Sequence, residues 1–164
     1  MSLEAVLEQV NRYACPLVEV TGGEPLAQPA ALPLISKLCN EGFEVLIETS
    51  GAIDITSIDS RAQIIMDIKC PSSEMKDRMH WENLQHITSK DQIKFVISDR
   101  QDYDWAVDIV KRRHLTDRCP VLFSPAFGSQ DLRPMAEWIL EDRMQVRLQV
   151  QLHKFIWNPE ARGV

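Results

Sequence analysis

Six short runs of β-forming residues, at 17–20, 43–48, 63–68, 93–97, 121–123 and 146–152, alternate with stretches that carry helical spacing. No other property of the chain constrains its fold as much. Strands that take turns with helices pack as a mostly parallel sheet joined by right-handed crossovers. Leu3, Val6, Leu7 and Val10 fall at i, i+3, i+4 and i+7, which predicts a helix over 3–13 with Ser2 as its N-cap. A second helix is expected over 29–41. Pro29 would sit in its first turn, Leu32, Ile35, Leu38 and Cys39 on its apolar face, and Gly42 at its end. Residues 71–90 are polar and weakly patterned, with Trp81, Leu84 and Ile87 hinting at one helix. Further helices are expected over 102–113 and from Asp131, as a cap, to Asp142, the latter turning Leu132, Ala136, Ile139 and Leu140 inward.

The unusual residues gather just after the strands: Thr21-Gly22-Gly23-Glu24, Thr49-Ser50-Gly51, Lys69, Ser98, Ser124-Pro125 and His153-Lys154. The carboxyl ends of strands form the binding face of parallel α/β folds. Gly-Gly-Glu alone reads as a βα turn with a helix cap. A phosphate loop fits less well, because the Glu24 carboxylate repels phosphate. Such a carboxylate suits an ammonium, as on an amino-acid-like ligand. Asp67 and Lys69 share a strand face, so they either pair with each other or reach a ligand ribose or carboxylate. His153 has a structural and a functional reading. The tail, with Trp157, Pro159, Arg162 and Gly163, is expected to fold back and bring the Val164 carboxylate near the site.

A chain of 164 residues with 45% hydrophobic content is expected to form one domain with a real core. The net charge of −6 argues against a nucleic-acid backbone as partner. Apolar runs are too short to span a bilayer and the start lacks a signal-peptide pattern, so the cytoplasm is the expected location. Cys15, Cys39, Cys70 and Cys119 include no Cys-x-x-Cys pair and so no sequence-local metal clip. Cys15, Cys39 and Cys119 read as small apolar residues; Cys70, at a strand end, stays open.

Taken in order, Thr21-Gly22-Gly23-Glu24-Pro25, Glu48-Thr49-Ser50-Gly51, Asp67-Ile68-Lys69-Cys70-Pro71, Lys94-Phe95-Val96-Ile97, Phe123-Ser124-Pro125, and Gln151-Leu152-His153-Lys154-Phe155 ending in Arg162-Gly163-Val164 resemble the 7-carboxy-7-deazaguanine synthase family. These are radical S-adenosylmethionine (SAM) enzymes of queuosine and deazapurine biosynthesis. The resemblance implies an α/β fold, a partial (β/α) TIM-like barrel with its first strand missing. It implies a carbon–nitrogen lyase that converts 6-carboxy-5,6,7,8-tetrahydropterin to 7-carboxy-7-deazaguanine with loss of ammonia, using SAM, a 4Fe-4S cluster and magnesium. A reductase or flavodoxin-type electron donor and a homodimer follow from the same likeness. Carried over residue by residue, Gly22, Gly23, Glu24, Asp67, Lys69, Ser124 and Pro125 would contact SAM. Thr21, His153 and Val164 would contact the pterin substrate.

The family binds its cluster through a cysteine triplet ahead of Gly-Gly-Glu, and only Cys15 precedes Gly22. Residues 1–164 are therefore expected to be one incomplete radical SAM domain that binds no cluster, is inactive alone, and carries no catalytic or metal-ligating residue. Two other readings stand beside this one. One is a fragment of another radical SAM protein, of the activating-enzyme type; the other is a non-catalytic SAM- or pterin-binding remnant.

Overall fold

Ser2 Oγ accepts the Ala5 N–H at 3.3 Å and opens the first helix, α1 (Leu3–Arg12), as its spacing predicts. The computed structural model describes residues 2–128 and 132–158. The chain divides into two compact units, one of residues 1–67 and 78–92, the other of 68–77 and 93–164. Every strand pairing described in either unit is parallel, so the α/β expectation holds.

In the first unit β1 (Leu17–Val20), β2 (Glu44–Thr49) and β3 (Gln63–Ile68) follow one another in chain order. Val20 lies beside Ile47, and Ile47 beside Ile64. The helix between β1 and β2, α2 (Ala31–Asn40), buries Ala31, Ile35, Leu38 and Cys39. It starts later than the sequence suggests. Pro29 sits in a turn ahead of it, and Pro33 takes the first-turn position, where a missing N–H costs no intrahelical bond. Gly42, at φ +88°, ends it by donating to Cys39 O at 3.2 Å.

The single helix hinted at over 71–90 is not formed. Three short 3-10 turns, Pro71–Ser73, Lys76–Arg78 and Trp81–Gln85, take its place. The spacing of Trp81, Leu84 and Ile87 is a strict three, which suits a three-residue turn better than an α-helix. Leu84 and Ile87 are buried by it.

In the second unit β4 (Gln92–Ile97), β5 (Val121–Pro125) and β6 (Arg147–Leu148) again follow chain order. Phe95 lies beside Phe123, and Phe123 beside Leu148. The last strand is two residues long, not the expected seven of 146–152. Arg147 and Leu148 are both exposed, so no buried face holds the neighbouring residues extended. His153 accordingly lies on a short helix, α5 (His153–Ile156).

α3 (Arg100–Arg113) begins before the expected Asp102, because Asp99 caps it by accepting the Asp102 N–H at 2.9 Å. α4 (Arg133–Glu141) buries Met135 and Ile139, one helical turn apart. Leu140, expected inward, is rotated past that face and lies 76% exposed. Asp131, the expected cap of this helix, lies outside the described residues.

The core of this unit is aromatic. The Phe123 ring meets Phe95 and Tyr103 edge-on, each at 5.7 Å between centroids. Truncating a buried phenylalanine of this kind costs about 3–5 kcal/mol. Tyr103 is fully buried and donates its hydroxyl to Asp142 Oδ2 at 2.9 Å. Burial first, and the Asp142 carboxylate second, push its phenol well above the ordinary range. No helix among the described residues is long and apolar enough to cross a membrane.

Candidate functional site

The parallel register of β1 and β2 places the two strand ends side by side, and the loop after β1 turns on its glycines. Gly22 has φ +102° and Gly23 φ +57°, backbone conformations that side-chain-bearing residues rarely adopt. Both are exposed, and a Cβ built on either would meet nothing within 4 Å. Glycine is needed there for conformation, and the space over the loop is open to a ligand. Thr21 is exposed beside them.

Glu24 is half-buried and closes this loop. Its Oε1 accepts the Leu26 N–H at 3.1 Å, which caps the 3-10 turn Pro25–Ala27. The Thr49 hydroxyl shares its proton between Oε1 at 2.8 Å and Oε2 at 3.0 Å. Ser50 gives its backbone N–H to Oε2 at 2.8 Å, and its hydroxyl to the same oxygen. A carboxylate has about four lone-pair sites, and four protein donors converge on this one. Glu24 thus fastens the Gly22-Gly23 loop to the end of β2. The loop backbone, more than the carboxylate, is what faces open space.

The turn after β2 is itself held. Gly51 has φ +70°, and a Cβ on it would lie 2.8 Å from Met79 Sδ and 2.9 Å from Met66 Sδ. Its carbonyl accepts the His80 N–H at 2.9 Å and Asn83 Nδ2 at 3.0 Å. Asn83 also donates to Ile53 O at 2.8 Å and accepts from Ile55 N–H at 3.2 Å. It is 1% exposed. Sequence reading missed Asn83, because its partners lie some thirty positions away and no local pattern reveals them.

In the second unit the end of β5 carries Ser124, whose buried hydroxyl has no hydrogen-bond partner among the described residues. After it comes Pro125, and then Ala126 donates to Ile97 O at 2.8 Å. A cavity of about 290 Å3 opens beside this segment, walled by Pro125, Phe127, Leu132, Val150, Gln151 and Phe155. Phe127 and Phe155 meet edge-on at 6.1 Å, and Lys154 Nζ sits 5.0 Å from the Phe127 ring centre. His153 is exposed on α5. The loop that follows Lys69 is anchored by Asp102, which is 1% exposed and accepts from Ser72 N–H and Ser98 N–H, both at 3.0 Å. The Ser72 hydroxyl donates to the same carboxylate.

The other sequence candidates are placed as follows. Asp67 is buried near the end of β3, and Lys69 is half-buried. Val164, with Pro159, Arg162 and Gly163, lies outside the described residues, so the expected fold-back of the tail does too. Cys39, Cys70 and Cys119 are buried and Cys15 is exposed. Among the described residues no three His, Cys, Asp or Glu side chains come together as a metal site would require. The described thiols therefore do not fit a 4Fe-4S cluster, which needs closely placed thiolates.

No family model matches the chain. The 7-carboxy-7-deazaguanine synthase of Chlorobaculum tepidum is 39% identical over all of this chain and 76% of its own length. That of Koribacter versatilis is 41% identical over all of this chain and 79% of its own length, and that of Clostridium acetobutylicum 32% over all and 76%. Among solved structures, QueE from Escherichia coli superposes with a TM-score of 0.63 at 21% identity, covering 92% of this chain and 64% of that one. Streptococcus suis SuiB bound to S-adenosylmethionine superposes with a TM-score of 0.58 at 12% identity, covering 82% and 38%. The two structures share the fold, and the sequence matches go further: this chain belongs to the 7-carboxy-7-deazaguanine synthase family.

Proposed function

We propose that this chain supplies the SAM-binding portion of a 7-carboxy-7-deazaguanine synthase, which converts 6-carboxy-5,6,7,8-tetrahydropterin to 7-carboxy-7-deazaguanine with loss of ammonia in queuosine and deazapurine biosynthesis. One observation carries the reading most. Two exposed glycines at positive φ are held open by a carboxylate whose donors come from Leu26, Thr49 and Ser50. Such a loop presents backbone groups to the amino-acid end of SAM. Gly22 and Gly23 would hold that end of SAM, and SAM, once bound, would supply the family's radical chemistry. The protein's part is to bind and orient.

The SAM contacts assigned to Asp67, Lys69, Ser124 and Pro125, and the pterin contacts assigned to Thr21, His153 and Val164, belong to the same proposal and rest on the resemblance. So do the lyase class, magnesium, the electron donor, the homodimer and the cytoplasmic location. That the chain assembles no cluster by itself belongs to the proposal too, and rests on the single cysteine ahead of Gly22. The same observation keeps the reading of a non-catalytic SAM- or pterin-binding remnant as an alternative.

The test has two arms. The chain is titrated with SAM by calorimetry, then treated anaerobically with iron and sulfide and assayed with the pterin and a reductant. Saturable one-to-one binding with no iron–sulfur absorbance and no product is expected. Failure to bind SAM contradicts the proposal, and a formed cluster with turnover contradicts the inactivity of the chain alone.

A further inference from the structure

The four donors on Glu24 explain how the glycine loop is closed, and they leave open what holds the donors. Thr49 and Ser50 sit at the end of β2, and their positions depend on the turn that follows. Thr49 Oγ1 accepts the Gly51 N–H at 3.2 Å while it donates to Glu24. Gly51 is therefore the next link. Its carbonyl is fixed by one backbone donor, His80 N–H, and one side-chain donor, Asn83 Nδ2.

We propose that Asn83 is a positioning residue for the glycine loop: through Gly51, Thr49 and Ser50 it sets where Glu24, and hence Gly22 and Gly23, can stand. This rests on the SAM-binding reading of that loop. Asn83 uses both amide hydrogens and its oxygen on three separate backbone groups, Gly51 O, Ile53 O and Ile55 N–H. A buried amide satisfied in this way fixes the path of residues 51–55 as a unit. No neighbouring residue type replaces it. Leucine leaves the buried Gly51 carbonyl and the part-buried Ile53 carbonyl without this donor, and aspartate points a carboxylate at them. His80 N–H still reaches Gly51 O when Asn83 is removed, so the turn loosens without being freed.

The test is amide hydrogen exchange on the full chain, read together with SAM affinity. In Asn83→Ala the Ile55 amide loses its acceptor directly. The proposal requires more: the Ser50 and Leu26 amides, which bond to Glu24 and never touch Asn83, should exchange about tenfold faster. The β1–β2 ladder amides should be unchanged, and SAM affinity should fall about tenfold. Acceleration confined to Ile55 overturns the proposal, because Asn83 then holds only its own loop. Acceleration at Ser50 and Leu26 with unchanged SAM affinity overturns it equally. A wild-type chain that binds no SAM contradicts the functional reading, while the exchange pattern still judges the link from Asn83 to Glu24. If the variant does not fold, wild-type exchange under mild denaturant decides. Ile55, Ser50 and Leu26 should then open as one cooperative unit, and Ile55 opening without the other two overturns the proposal.

Discussion

Ser50 donates its backbone N–H to Glu24 Oε2 at 2.8 Å, across 26 residues of sequence, and so ties the end of β2 to the loop after β1. The Ser50 and Thr49 hydroxyls add to the same carboxylate. The glycine loop is thus shaped before any ligand arrives, and preorganisation of this kind lowers the ordering cost of binding.

Glu24→Gln keeps the size and removes the charge. Its NH2 group faces donors on whichever side it is placed, so at least one bond becomes a donor–donor clash. Hydrogen bonds to a charged group contribute about 1.5–3 kcal/mol, so SAM affinity should weaken by about tenfold to a hundredfold. Calorimetric titration of the variant measures this. Unchanged affinity would mean that the Glu24 anchor does not shape the loop.

Gly51→Ala and Gly22→Ala should separate packing from binding. Both put a side chain at positive φ, which costs about 1–2 kcal/mol. Only at position 51 does the new Cβ also run into Met66 and Met79. Gly51→Ala should therefore lower the unfolding midpoint clearly more than Gly22→Ala in a denaturant titration. Over Gly22 the space is open, so the main loss in Gly22→Ala should appear in SAM affinity.

Much of this was legible in the sequence, for reasons that differ by element. β1, β3 and α1 announce themselves by local spacing and a cap, and local spacing is what they obey. Gly-Gly-Glu alone reads as a capped turn, and Glu24 does cap one; the loop was legible as a site through its place after a strand and its company with Glu-Thr-Ser-Gly. Its partners were only half legible: Thr49 and Ser50 stood out as a polar strand end, with nothing to say that they meet Glu24. Asn83 was invisible, since it acts on backbone atoms far along the chain and lies in a segment without period. The final strand is two residues long where alternation predicts seven. Alternation at 146–152 predicts extension only where one face is buried, and Arg147 and Leu148 have no buried face.

Asp102→Asn should unsettle the loop after Lys69. The carboxylate accepts from Ser72 N–H, Ser98 N–H and the Ser72 hydroxyl while fully buried. An amide cannot accept from all three, and a buried donor left without a partner costs about 1–3 kcal/mol. Thermal unfolding should show that loss. Protease cleavage near Ser72 and Ser73 should quicken as the loop opens. A variant as stable and as resistant as the wild type would contradict the anchoring role.

Tyr103 supplies a pH test. Burial and Asp142 raise its folded pKa, so folding favours the protonated phenol. That stabilisation is whole below the unfolded value of about 10 and is lost as pH rises from there through the folded value. In Tyr13→Phe, which leaves Tyr103 as the one tyrosine of the chain's two, phenolate absorbance should appear only together with alkaline unfolding. Phenolate forming well before the loss of near-ultraviolet circular dichroism would contradict the burial and the Asp142 bond.

The most direct measurement of the account is a titration of the isotope-labelled chain with SAM, followed by backbone amide chemical shifts. Saturable shifts should centre on Gly22, Gly23 and Glu24 and extend to Ser50, because these amides line or anchor the open loop. Absence of saturable shifts, or shifts that spare the Gly22–Glu24 loop, would contradict the proposal that this loop holds SAM.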